Sequence, residues 1–318
     1  MMKIKHLIIL ILAISLVFTT GCNEQNTDIG MANPFIGGTT GITMEFLEDA
    51  PPLDKVHDGG EYPFTAVVKI KNMGESDIEI GDATIKISGI DATDFGTTPA
   101  LLTQNNDEII YGTKKNAEGS ITEGTIFHLT FPKDSEFNYE GVLVGNHQFP
   151  FLATSCYKYE NKATAMLCVK EDPLDTGDDS VCEINEIKTT YNSGGPIQIL
   201  NLKETPRGKT SLAFTFEIHH KGTGEFYELN SLCDSSISTS DRVYVAITTG
   251  ISGLSCTGLS GEDQNSGFVK LHDGKRTITC TQDVSSASGD YEKIVEIVTQ
   301  YDYEQKITTN VLVKHAAN

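Results

Sequence analysis

The segment Tyr157-Lys-Tyr159-Glu160-Asn161-Lys162-Ala-Thr164 returns 144 positions later, without a gap, as Tyr301-Asp-Tyr303-Glu304-Gln305-Lys306-Ile-Thr308. A second echo, at an offset of 148, matches Val68-Lys-Ile70-Lys-Asn72-Met-Gly74 to Phe216-Glu-Ile218-His-His220-Lys-Gly222. Two echoes at nearly one offset mark a chain built by duplicating a unit of about 130 residues. Both copies must then fold to one pattern, which restricts the architecture more than local propensity does.

The pattern is all-β. Thr65-Ala-Val67-Val68-Lys-Ile70-Lys, Ala83-Thr-Ile85-Lys-Ile87-Ser, Ile126-Phe-His-Leu129-Thr-Phe131 and Arg242-Val243-Tyr-Val245-Ala-Ile247 alternate apolar and polar residues between Gly, Asp, Asn or Pro. Period two over short runs predicts half-buried antiparallel strands, and repeated short strands predict sandwiches with two inner faces. Each unit opens with a strand (Thr43 to Leu47; Ile197 to Leu202) and a turn at Pro51-Pro52 or Pro206. A long strand follows, ending at Gly74 or Gly222, where glycine is expected for the positive φ of a turn. Each unit closes with the Tyr-x-Tyr-Glu segment, read as a hairpin turning near Lys162 or Lys306. Its tyrosines are expected to brace the ribbon as cross-strand pairs; exposed tyrosines would instead make a ligand platform. The predicted organisation is a signal segment over 1–21, a tether over 22–40, an immunoglobulin-like sandwich over 41–170, an acidic linker over 171–182 and a second sandwich over 183–318.

The N-terminus carries an address. Lys3 and Lys5 precede an apolar run from Leu7 to Phe18 broken only by Ser15, and Thr19-Thr20-Gly21-Cys22 follows. Twelve helical residues rise about 18 Å, short of the roughly 30 Å of a bilayer core, so the run reads as an export signal. Its end resembles the lipobox of prokaryotic lipoproteins, with Thr19 where leucine is usual. That resemblance implies cleavage before Cys22 and attachment of lipid to its sulfur. The expected location is extracytoplasmic, on the membrane surface, with Asn23 to Thr40 as a flexible spacer. The formal charge is −20, and loss of Lys3 and Lys5 brings the mature chain to −22. Such a surface repels phosphate backbones, so nucleic acid is not an expected partner.

Six cysteines follow Cys22, an even number suited to disulfides in an exported chain. Cys156 and Cys168 are equidistant from a turn at Lys162 and are expected to pair. Cys256 and Cys280 fall on successive strands of the second unit. Cys182 and Cys233 remain as the third pair. No CxxC spacing supports zinc, and no cofactor is expected.

In the second unit, Pro196-Ile-Gln-Ile-Leu-Asn-Leu followed by Leu212-Ala-Phe-Thr-Phe-Glu-Ile-His-His-Lys-Gly is similar to immunoglobulin-like domains of the CARDB type. In that group the second strand typically ends Asn-x-Gly; Asn72 keeps this in the first unit, and His220 replaces it in the second. With the lipobox, the chain resembles surface lipoproteins of archaea and bacteria, which implies adhesion or envelope assembly with a protein or glycan partner. Catalytic signatures are missing from the pattern. Ser252, Ser255 and Ser260 lie outside a Gly-x-Ser-x-Gly frame. His219 and His220 point to opposite faces of a strand, and His57, His128, His147, His272 and His315 are scattered. The expectation is a protein without catalysis. A solute- or glycan-binding lipoprotein is the alternative, and a hydrolase with its site in the loops Asp91 to Gly124 or Gly250 to Gly267 is a remoter one. Asp172, Asp175, Asp178 and Asp179 in the linker offer oxygen ligands for calcium, but their order is not that of an EF-hand, and a self-repelling spacer is the preferred reading.

Overall fold

The computed structural model describes residues 32–175, 181–236, 238–261 and 263–316. The signal segment, Cys22, Asp178 and Asp179 lie outside the described residues. Every regular element among the described residues is a strand. The first half contributes β1 (Ile42–Phe46), β2 (Val56–His57), β3 (Ala66–Asn72), β4 (Ala83–Ser88), β5 (Thr103–Asn105), β6 (Lys114–Lys115), β7 (Ile121–Thr122), β8 (Ile126–Phe131) and β9 (His147–Val169). The second contributes β10 (Tyr191–Asn192), β11 (Ile197–Pro206), β12 (Ser211–His220), β13 (Glu225–Tyr227), β14 (Arg242–Thr248), β15 (Leu254–Thr257), β16 (Ser266–Lys270), β17 (Lys275–Asp283) and β18 (Tyr291–Lys314).

The alternation read from the sequence becomes burial. Ala66, Val68 and Ile70 of β3 are fully buried while Val67, Lys69 and Lys71 between them are half-buried. Ala83, Ile85 and Ile87 of β4 repeat the pattern, as do Val243, Val245 and Ile247 of β14. Small antiparallel sheets form in each half, in the orders β1-β3-β8 and β11-β12-β17-β15.

The Tyr-x-Tyr-Glu segments do not form hairpins. Each lies inside one uninterrupted strand, and Lys162 is mid-strand rather than at a turn. No residue between His147 and Val169 takes a positive φ, and Tyr157 to Thr164 include neither Gly nor Pro. With no turn chemistry, the segment stays extended and pairs with its own repeat. β9 and β18 run antiparallel, Tyr157 facing Tyr303, Tyr159 facing Tyr301, and Lys158 facing Asp302. Lys158 and Asp302 are also counterparts at the 144-residue offset, so a local twofold axis passes between them. The sheet order β5-β4-β9-β18-β14-β16 mirrors itself about that axis.

The halves 41–170 and 183–318 therefore share one sheet, and Asn33–Asn318 form a single compact unit. The segment 171–182 is not the only connection between them. The tether, too, ends earlier than residue 40: Ile36 and Gly37 donate backbone N–H groups to the Glu75 carboxylate at 3.0 and 2.9 Å.

Both small sheets lie against the tyrosine-bearing face of the shared sheet. Tyr157, Tyr301 and Tyr303 are among the largest fully buried side chains. Their hydroxyls tie the layers together: Tyr157 accepts Ile42 N–H at 3.1 Å, Tyr159 donates to Gly194 O at 2.9 Å, and Tyr303 accepts Gly224 N–H at 2.8 Å. Burial pushes all four phenols above the ordinary range, Tyr303 to about 12. The tyrosines thus bind sheet to sheet and form no exposed platform.

Gly74 and Gly222 are needed for a different reason from the one expected. Neither has a positive φ. A Cβ on Gly74 would stand 1.8 Å from the Tyr159 hydroxyl, and one on Gly222 would stand 2.1 Å from that of Tyr303. The same glycine–tyrosine contact recurs in both copies, which is why the glycine recurs.

The disulfides are Cys156–Cys233, Cys168–Cys182 and Cys256–Cys280. Two expected pairings, Cys156–Cys168 and Cys182–Cys233, are replaced. With the hairpin gone, Cys156 and Cys168 are twelve residues apart on one strand, about 40 Å, far outside bonding reach. Cys256 and Cys280 face each other on β15 and β17. Three disulfides suit an oxidising, extracytoplasmic compartment.

Candidate functional site

Strand alternation that buries the tyrosines turns their neighbours outward. On the outer face of the shared sheet, β9 presents Lys158, Glu160 and Lys162, β18 presents Gln300, Asp302 and Glu304, and β4 presents Thr84, Lys86 and Ser88. The twofold axis crosses this face, and the two halves cover it unequally. In the first half ten residues connect β3 to β4; in the second, twenty-one connect β12 to β14.

The longer connection folds over the axis. Asp302, 1% exposed, accepts N–H groups from Asn230 at 3.1 Å and Leu232 at 2.7 Å, and the Ser231 hydroxyl at 3.4 Å. Burial raises the Asp302 carboxyl above its usual range, opposed by those N–H groups. Asn230, Leu232 and Cys233 sit at φ of 66°, 55° and 55°, a left-handed run that L-residues adopt only when held. The Asp302 contacts and the Cys156–Cys233 bond hold it.

Two clefts open on this face. The larger, about 660 Å³, is floored by Lys158, Glu160, Lys162 and Gln300 and rimmed by Pro34, Phe35, Asp77, Glu79, Lys114 and Leu229. Glu75 fixes that rim by accepting Ile36, Gly37 and Gly194 N–H groups, the last at 2.6 Å. The smaller cleft, about 490 Å³, lies over Thr84, Lys86, Ser88 and Thr154 and is closed by Leu232 and the Cys156–Cys233 disulfide. Asp82 and Lys158 line both, joined by an ion pair of 2.6 Å. Within the larger cleft, Lys114 meets Asp77 at 2.9 Å, Lys162 meets Glu160 at 3.2 Å, and Gln300 donates to Glu160 at 2.7 Å.

The histidines are distributed over structural contacts. His219 Nε2 lies 2.7 Å from Glu217, and His220 Nε2 lies 3.1 Å from the Tyr303 hydroxyl. The His57 ring packs on Tyr62 and the His147 ring on Phe149. His315 Nδ1 lies 2.8 Å from Asp58, which also accepts Leu143 and Ala316 N–H groups; these bonds lower the Asp58 carboxyl to about 2. In the loop after β4, Asp91 accepts from Thr93 and closes its own turn. Ser255 lies on β15, and Ser260 bridges to Phe268.

Of the calcium candidates, Asp172 accepts Leu174 N–H at 3.0 Å and lies 3.7 Å from Lys209, while the Asp175 carbonyl accepts from Lys170. Among the described residues no group of three or more His, Cys, Asp or Glu side chains is placed to hold a metal ion. Sequence reasoning quoted Lys158, Glu160 and Lys162 only as part of a ribbon. Their alternation with the tyrosines was the available signal for a polar outer face; the cleft walls come from distant loops and left none.

No family model matches the chain, and no curated protein matches it. Among solved structures, it is similar to the secreted serine protease VesC from Vibrio cholerae, at 11% identity and a TM-score of 0.19, over 82% of this chain and 50% of that one. The chain thus spans half the length of that protease. It is also similar to the collagen binding domain of the Erysipelothrix rhusiopathiae surface protein RspB, at 8% identity and a TM-score of 0.10, over 88% of this chain and 92% of that one. Scores this low transfer neither fold nor activity.

Proposed function

We propose that the chain is an exported, lipid-anchored protein of the cell envelope that acts without catalysis, as an adhesion, interaction or assembly module. The observation that carries this reading is the set of three disulfides in a chain whose N-terminus reads as an export signal ending at Cys22. Disulfides persist where thiols are not kept reduced, which agrees with export. Distribution of the histidines over separate structural contacts favours a binding surface over a reaction centre. Metabolic labelling with radioactive fatty acid tests the anchor. Label is expected in the mature protein, and Cys22→Ser is expected to lose it and appear in the medium. An unlabelled native protein, released to the same extent as Cys22→Ser, would remove the anchor.

A second reading, recognition of a solute or glycan, is favoured by the larger cleft. A volume of about 660 Å³ lies within the range of small-ligand sites. Of the repeat tyrosines Tyr159 alone reaches its lining, and the polar outer face supplies the floor.

A further inference from the structure

We propose that the two clefts are consecutive subsites for one linear, uncharged polysaccharide laid across the local twofold axis. This deepens the glycan reading and takes the chain as an exported binding module. The first argument is continuity. Asp82 and Lys158 form the wall common to both clefts, so a ligand leaving one enters the other over a single ion pair.

The second argument concerns the floor. Its strands β4, β9 and β18 are interior to the shared sheet, each hydrogen-bonded on both sides. No free edge is offered there, so an extended peptide has no backbone ladder to join. Recognition must come from side chains, and the smaller cleft supplies hydroxyls from Thr84, Ser88 and Thr154 beside Lys86.

The third argument is charge. Three of the five cleft lysines are matched, Lys114 with Asp77, Lys158 with Asp82 and Lys162 with Glu160, and Lys86 and Lys115 stand among linings in which seven carboxylates outnumber them. An anionic polymer would meet those carboxylates and a mature chain of −22. A polyhydroxylated, uncharged ligand instead finds donors and acceptors in alternation and brings no charge of its own to desolvate. The larger cleft lies between the two unequal connections, walled by Glu75 to Glu79 and Asp82 of the shorter and by Leu229 and Asn230 of the longer, while Leu232 and Cys233 of the longer close the smaller cleft.

Affinity electrophoresis of the full mature protein in neutral detergent tests this, with a soluble linear glucan, a chito-oligosaccharide and alginate as probes. The glucan or the chito-oligosaccharide is expected to retard the native protein, and alginate is not. Lys162→Glu in the larger cleft and Lys86→Glu in the smaller are each expected to weaken retardation roughly tenfold, the loss of one charged hydrogen bond. Both residues are exposed, and Ser88→Arg provides an independent block of the smaller cleft. Lys209→Glu, exposed in the turn between β11 and β12 beside Asp172 and in neither cleft, is expected to behave as native. Retardation by alginate alone, by none of the three, or equally in the native protein and all cleft variants overturns the proposal. Each of those failures leaves the lipid anchor standing, because fatty-acid labelling reads it separately.

Discussion

Gly74→Ala is expected to destabilise the protein strongly although it adds a single methyl group. The added Cβ would lie 1.8 Å from the Tyr159 hydroxyl, 2.8 Å from Gly194 O and 2.9 Å from Thr40 O. Reaching ordinary contact at 3.4 Å requires the hydroxyl to retreat by about 1.6 Å. That movement breaks its 2.9 Å bond to Gly194 O in a site where the tyrosine is 2% exposed. Overpacking costs about 1–3 kcal/mol, and a buried phenol hydroxyl left without its acceptor about 1–3 kcal/mol more, the Gly194 carbonyl keeping the Glu75 N–H. The sum, about 2–6 kcal/mol, corresponds to a fall in Tm of roughly 3–10 °C for a unit of this size. Scanning calorimetry of Gly74→Ala and Gly222→Ala should give similar losses, because the second copy repeats the contact at 2.1 Å from Tyr303. Combining Gly74→Ala with Tyr159→Phe should recover part of the loss and no more, since the two backbone oxygens still crowd the methyl group. Gly74→Asn separates this account from a turn requirement: asparagine tolerates positive φ but still clashes here. Melting of Gly74→Ala or Gly74→Asn within about 2 °C of the native protein would refute the reasoning.

Two further outcomes follow from buried groups. Replacing Cys156 and Cys233 with serine opens a loop of 77 residues, and chain entropy alone puts the loss at about 4–5 kcal/mol; urea unfolding showing less than about 1 kcal/mol would contradict this. Glu204 is wholly buried, pairs with Lys188 at 3.2 Å, accepts Cys168 N–H at 2.9 Å, and leaves Oε1 without a hydrogen bond. Desolvation outweighs both partners and raises its carboxyl from 4.5 to about 7. The unfolded chain therefore releases this proton first as pH rises, and the contribution of Glu204 to stability declines through that window. Glu204→Gln should gain on the native protein between about pH 5 and pH 8 in urea midpoints, and a constant difference across that range would count against the assignment.

Much of the core was readable in advance because period-two alternation maps directly onto the two faces of a strand. Val68, Ile70, Ile85 and Ile87 are buried where the pattern put them. The recurrence of Tyr-x-Tyr-Glu located the symmetry, and the paired glycines located its packing. The candidate site was less readable. Lys158, Glu160 and Lys162 are visible as an alternating polar row, whereas Asp77, Lys114 and Leu229 reach the larger cleft from three separate segments, Lys114 from β6. Their convergence depends on chain paths of dozens of residues, which no local pattern encodes.

Composition, alternation and duplication are properties of the chain alone, and they determined an all-β protein in two kindred halves. The partner of each long strand was decided only in three dimensions. A hairpin and a pairing of two copies bury the same alternating residues, so the pattern is indifferent between them. The extended Tyr157–Thr164 segment, lacking a turn, took its own repeat as neighbour, and the cysteine pairing followed from the distances that choice imposed.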